Sequence, residues 1–283
     1  MANRLTTFAR ACWLMLFALI ALPCAAAGGV LRDIPTPYVP STRHNVDEML
    51  RLAGTEPQDV VYDLGSGDGR IVIAAARDYG ARGVGIELDA KLVAESEANA
   101  RQAGVADRVA FRHGDVLEAN IREATVVTMY LLPALVKRLE PKLLRELRPG
   151  TRIVAHEYGF DMWKPDRTVR ISKTYHLYVV PARAAGKWRL RAQLPGGARD
   201  YELGLEQHYQ EIEGGVRVKG GLLPAFEARL AGDRISFVLV DQEISYRYEG
   251  RIAGETMEGV VRFGYGPRLA EARWSAKRVA DVM

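Results

Sequence analysis

Residues 60–69 read Val60-Val61-Tyr62-Asp63-Leu64-Gly65-Ser66-Gly67-Asp68-Gly69, and this stretch decides the fold. Val60 to Tyr62 is a short apolar run of the kind that makes a buried strand, ended by Asp63 and Leu64. Gly65 to Gly69 is a glycine-rich turn, and RIVIAAARDY from Arg70 onward reads as a helix. Strand, glycine turn and helix form the junction with which α/β folds approach a nucleotide-type ligand. Glycines let backbone come close to the ligand, and the helix N-terminus offers free N–H groups. The spacing is G-x-G-x-G rather than the G-x-G-x-x-G of dinucleotide folds, and an acid stands two residues before the first glycine. Taken alone, the stretch also suits an ordinary structural junction.

Two later acids extend the pattern. The next strand, GVGIEL, ends in Glu87, about twenty residues past the glycines, where a carboxylate accepts both hydroxyls of a ribose. The third, VAFRHGD, ends in Asp115, a place for the amino group of an adenine. Three acids at the ends of successive parallel strands fall on one sheet edge, the edge where open α/β sheets bind ligands.

Outward from this centre the rhythm is regular. Strands at 60–64, 83–87 and 109–113 alternate with helices at 70–79 and 90–103, the second flanked by Asp89 and Gly104 as caps. A fourth strand covers Thr125 to Tyr130. Pro133 opens a helix to about Leu147 with Leu135, Leu139, Leu143 and Leu147 on one face, and Arg152 to His156 is a fifth strand. Strands near 167–171 and 175–180 complete a sheet, while Gly159 and Pro165 replace the usual helix before them. Upstream, Pro37 and Pro40 hold an extended lead-in, and Ser41 caps a helix through Ala53. PARAAG (181–186) is a linker. Residues 187–280 then show period-two patterning broken by glycine turns, predicting seven or eight antiparallel strands. Trp188 and Trp274, near the two ends, are expected to close that sheet against each other. No catalytic cluster is visible there.

Composition is that of an ordinary globular chain, and its 283 residues allow one large or two medium domains. Residues 1–27 read as a secretory signal. Arg4 and Arg10 precede an apolar run from Ala11 to Leu22, and Ala25-Ala26-Ala27 offers a cleavage site. A misplaced start or a retained anchor is the alternative. The formal net charge is +4; removing Arg4 and Arg10 leaves 37 basic against 35 acidic residues, a balance of +2. So small and scattered an excess gives no reason to expect a nucleic-acid partner. Both cysteines, Cys12 and Cys24, lie in the signal, so the mature chain carries no disulfide, thiolate metal ligand or cysteine nucleophile. Of the histidines, none shows metal-ligand spacing. His113 and His156 end strands near the site, as satisfied structural residues or as a general base.

DLGSGDGR, GIELD and GD together resemble the S-adenosylmethionine-dependent methyltransferases of the seven-stranded (class I) kind. PYVPS (37–41) and VVTMYLLPALVKRLEPKLLRELRPGTRIVAHEYGF (126–160) are similar to the small protein-lysine methyltransferases that include the mitochondrial enzyme for the ATP synthase c-subunit. The resemblance covers about residues 36–182. It implies an α/β fold class: a Rossmann-like seven-stranded methyltransferase sheet over 28–182, followed by a small all-β barrel or sandwich over 187–283.

The resemblance also implies S-adenosyl-L-methionine as cofactor. Gly65, Gly67 and Gly69 would shape the turn around its methionine part, Asp63 would take its ammonium, Glu87 its ribose and Asp115 its adenine. Tyr38 is a wall or hydrogen-bond donor over the cofactor, or else a packed aromatic. Tyr130 would face the transferred methyl. The loop Tyr130-Leu131-Leu132-Pro133 lacks the Asn-Pro-Pro-Tyr pattern of enzymes that methylate bases, which speaks against nucleic acid, and the resemblance itself implies a protein lysine as acceptor. Tyr158, Phe160 and Trp163 are candidates for a lysine channel by cation–π contact, or for ordinary packing. The location implied by the signal is periplasmic with no stable membrane span, or cytoplasmic if the start is misplaced. Two alternatives stay open: a small-molecule methyltransferase, and an exported binding protein that transfers nothing.

Overall fold

A computed structural model describes residues 38–194, 196–218, 221–264 and 269–279. The expected signal at 1–27 and the lead-in as far as Pro37 lie outside the described residues.

The chain runs α1 (Arg43–Ala53), β1 (Val60–Leu64), α2 (Arg70–Tyr79), β2 (Arg82–Glu87), α3 (Ala90–Gln102), β3 (Val109–His113), β4 (Val126–Met129), α4 (Pro133–Glu146), β5 (Arg152–His156), β6 (Arg167–Arg170) and β7 (Thr174–Val179). These strands form one sheet in the order β3-β2-β1-β4-β5-β7-β6. β1 to β5 are parallel, while β7 runs antiparallel to both β5 and β6. All five residues of β1 are buried, as befits a central strand covered on both faces. The strand order reverses between β1 and β4, so a crevice opens outside their carboxyl ends. Asp63 and Tyr130 sit at that crevice.

Local details depart from expectation in small ways. Thr42, not Ser41, caps α1: its Oγ1 accepts from the Asn45 N–H at 3.2 Å, and the Ser41 carbonyl accepts from Arg70 instead. Two adjacent hydroxyl residues suit the cap equally, and the Arg70 contact separates them. β4 ends at Met129, which leaves Tyr130 just beyond the strand. Val136, Leu139 and Leu143 form the buried face of α4, with Leu135 only partly covered. No helix occupies 157–166, as the glycine and proline there predict.

Among the described residues the second sheet has nine strands rather than seven or eight: β8 (Gly186–Leu194), β9 (Gly197–His208), β10 (Glu211–Val218), β11 (Gly221–Pro224), β12 (Phe226–Ala231), β13 (Arg234–Asp241), β14 (Ile244–Ala253), β15 (Thr256–Phe263) and β16 (Ala270–Arg278). Their order is β11-β10-β9-β8-β16-β15-β14-β13-β12. The two edge strands are joined by Ala225, and β12 lies against β10 as β11 lies against β13, so the sheet nearly closes into a barrel. Alternate residues fill its interior, from Trp188, Leu190 and Ala192 on β8 to Trp274 and Ala276 on β16.

β8 and β16 pair directly, but Trp188 and Trp274 do not close on each other; their register sets Trp188 opposite Arg278 and Trp274 opposite Ala192. Trp188 donates to the Ala184 carbonyl under the Arg278 guanidinium. Trp274 lies beneath the facing pair Gly250 and Gly259, where a Cβ on Gly250 would meet its ring at 2.6 Å.

The barrel docks on the first sheet through two turns. In the turn between β9 and β10, Tyr209 takes φ 54 and stacks on Trp163 with centroids 5.7 Å apart and planes 4° from parallel. Its hydroxyl donates to Glu140 of α4. In the turn between β12 and β13, Gly232 presses on the Gly150 backbone and its carbonyl accepts from the Ala182 N–H at 2.8 Å.

Candidate active site

The glycine turn after β1 is held in the left-handed region at Gly65 (φ 81), Gly67 (φ 53) and Gly69 (φ 82). A side chain at Gly69 would run into Phe111 and Ser96, and one at Gly67 into the ring of Tyr38. The turn therefore needs glycine for conformation and for space. The Gly65 and Ser66 amides donate to the Ile86 carbonyl at 2.9 and 3.0 Å, which ties the turn to β2.

Glu87, at the end of β2, completes that tie. Its Oε2 accepts the Gly67 N–H at 2.8 Å, and its Oε1 accepts from Leu88 at 2.8 Å and Asp89 at 3.0 Å. Three backbone donors fix the carboxylate before any ligand arrives. Asp63 is 3% exposed and takes a 2.7 Å hydrogen bond from the Thr128 hydroxyl across the β1–β4 pair. Burial pushes its pKa up to about 7, with the Glu87 and Asp68 charges adding and the Thr128 bond opposing. Such a carboxyl suits a cationic partner that restores its charge.

Tyr38 lies over the glycine turn against Gly67, 46% exposed, and its pKa is raised by burial and by the neighbouring Asp68 charge. Arg70 pairs with Asp68 and reaches the Ser41 carbonyl, pinning the segment that carries Tyr38. Asp115 is exposed at the far end of the same edge, its Oδ1 accepting from the Leu117 N–H at 2.8 Å. Asp63, Gly65, Gly67, Gly69, Glu87, Asp115, Tyr38 and Tyr130 thus all belong to one sheet edge and the turn beside it.

The aromatic candidates part company. Phe160 and Trp163 are buried and stack on each other at 5.1 Å, with Tyr178 and Tyr209 completing the cluster. Phe160 and Trp163 pack the barrel contact; of the three, only Tyr158 is exposed. His113 is structural, its Nε2–H donating to the Leu88 carbonyl at 2.9 Å. His156 is not the satisfied histidine of the structural alternative: it is 1% exposed, and neither ring nitrogen has a hydrogen-bond partner among the described residues. It lies between the rings of Tyr130 (4.1 Å) and Tyr175 (5.1 Å). Thr128 and Tyr175 carry no motif signal; only the strand register brings them to the site.

Comparison with known proteins agrees with this geometry. The family model described as the ANTKMT methyltransferase domain matches residues 63–167. A protein-lysine N-methyltransferase of Saccharolobus islandicus is 42% identical over 150 residues, 51% of this chain and 93% of that protein. The mouse lysine N-methyltransferase of the ATP synthase c-subunit is 38% identical over 138 residues, 49% of this chain and 55% of the mouse protein. A solved structure from Salinibacter ruber, described as an RNA methyltransferase in complex with S-adenosyl-L-homocysteine, is 53% identical with a TM-score of 0.51. It covers 51% of this chain and 95% of that one.

Fold and strand-end site define an S-adenosylmethionine-dependent methyltransferase of the seven-stranded kind. Within that class, the chain belongs to the family of the Saccharolobus islandicus protein-lysine N-methyltransferase, and its residues 63–167 match the ANTKMT methyltransferase domain.

Proposed function

We propose that this methyltransferase acts on the side-chain amine of protein lysine. The observation that carries the reading is the pairing of a strand-end cofactor edge with the 42% identity to a protein-lysine N-methyltransferase over nearly all of that relative's length. The loop after β4, Tyr130-Leu131-Leu132-Pro133, lacks the Asn-Pro-Pro-Tyr arrangement suited to a planar base amine.

The roles follow from chemistry and position. S-adenosylmethionine supplies a methyl group already activated on a sulfonium. Asp63 holds the ammonium of its methionine part, the Gly65–Gly69 turn gives backbone approach, Glu87 takes the ribose hydroxyls and Asp115 the adenine. A Cβ at Gly65 would meet the Leu131 side chain at 3.0 Å, so this position of the turn has room for glycine alone. Tyr38 covers the turn. Tyr130 orients the acceptor, whose amine must be neutral and aligned. Residues 28–182 act as the methyltransferase domain and 187–283 as an accessory β module.

The Salinibacter ruber relative favours a second reading, RNA as acceptor. Incubating the purified chain and labelled cofactor with separate protein and RNA fractions decides between them. Label on lysine supports the proposal; label on RNA alone rejects it and leaves the methyltransferase class standing. We also propose export through residues 1–27. A reporter active only outside the cytoplasm, fused to residues 1–40, should be active; activity confined to the cytoplasm contradicts export.

A further inference from the structure

His156 ends β5 on the same sheet edge as Asp63 and Tyr130, and none of the roles above uses it. A buried imidazole whose nitrogens both lack a partner among the described residues is costly, and a phenyl ring of the same shape would avoid the cost. Its neighbours nonetheless hold it closely. Tyr130, partly exposed, lies 4.1 Å away on one side, and Tyr175 lies 5.1 Å away on the other, its hydroxyl donating to Asn45 of α1 at 3.0 Å. The strand end is also fixed. The Tyr158 N–H closes a three-residue turn on the His156 carbonyl at 2.8 Å, with Glu157 between them at φ 65, a conformation that residues other than glycine rarely adopt. Residues held this way cluster at functional sites.

We propose that His156 takes the proton of the methyl-accepting group, which approaches along Tyr130. For an amine acceptor, the reading on which this inference rests, the N–H bond of the ammonium breaks and its electron pair stays on nitrogen. The proton forms a new N–H bond on the imidazole and leaves later to water. The freed pair then forms the N–C bond to the methyl carbon, while the C–S pair returns to sulfur as a neutral thioether. Burial holds the imidazole pKa below its usual value, which keeps the base unprotonated at neutral pH; Glu157 opposes the shift and Lys173 adds to it. Tyr130 just beyond β4 and Tyr175 on β7 are the other titratable groups against the ring. Behind them, Glu48 of α1 acts on Tyr175.

The test uses the whole chain and the acceptor that takes label, protein or RNA, so failure of the lysine reading shows in the wild-type product and leaves this comparison intact. His156→Phe fills the stack without a nitrogen. It should fold with a thermal midpoint at or above wild type and bind S-adenosylmethionine within about threefold by calorimetry, yet turn over at least about a hundredfold more slowly. His156→Gln should lose the acid limb of the turnover pH profile. Near wild-type turnover in the Phe variant, or an unchanged acid limb in the Gln variant, overturns the proposal; so does a loss of cofactor affinity matching the loss of rate. If the Phe variant does not fold, the Gln profile decides.

Discussion

The Gly67 amide donates a 2.8 Å hydrogen bond to the Glu87 carboxylate, joining the glycine turn after β1 to the end of β2 across twenty residues of sequence. One side chain therefore shapes the turn and, in the proposed role, holds the ribose. Replacing it removes charge-assisted bonds on both counts. Glu87→Ala should weaken S-adenosylmethionine binding by about 2–3 kcal/mol in calorimetry while the chain stays folded. Unchanged affinity contradicts the role.

Asp63 gives the site a pH dependence. Its folded pKa of about 7 stands above the ordinary 3.8, so between these values the native chain binds more protons than the unfolded chain. Stability contributed by this group is fully present below pH 4 and is lost as pH rises through 7. Asp63→Asn removes the loss, so the ligand-free variant should melt above wild type at pH 8. A cationic ligand at Asp63 favours the carboxylate, so cofactor affinity should rise with pH to about 7 and then level, with proton release on binding below that point. Calorimetry in two buffers of different ionisation enthalpy measures this; proton uptake would contradict it.

The Trp163–Tyr209 stack predicts a shared stability for barrel and sheet. Trp163 is fully buried, and Trp163→Ala should cost about 3–5 kcal/mol through the cavity it leaves. Tyr209→Phe keeps the stack and loses the bond to Glu140, a bond that pushes the Tyr209 pKa up to about 12; the loss should cost about 1 kcal/mol. Denaturant melts read both.

The sequence made the first sheet legible because its signals are local. VVYDLGSGDG and the apolar runs of β2 to β5 each mark an element without help from distant residues, and three acids mark the ligand edge. What stayed hidden depends on partners far along the chain. YELGLEQHYQEI reads as one strand because its turn at Tyr209 has no glycine, proline, asparagine or aspartate; the positive φ there is supported by Trp163 and Glu140. β11 is four residues long and carries little pattern of its own. Phe160 and Trp163 read as packing or as channel until the barrel is seen to cover them. His156 reads as an ordinary strand-end histidine, since nothing in the local sequence tells that its nitrogens find no partner among the described residues.

In the proposed function the β1–β4 edge carries a methyl group to lysine. Tritiated S-adenosylmethionine, the chain and a protein fraction of the same cell should yield methyllysine in acid hydrolysates. Tyr130→Ala should cut that yield at least about tenfold while cofactor affinity stays within about threefold, because its contact matters in the transition state. No methyllysine from the wild-type chain, with label appearing on RNA or small molecules instead, would contradict the account.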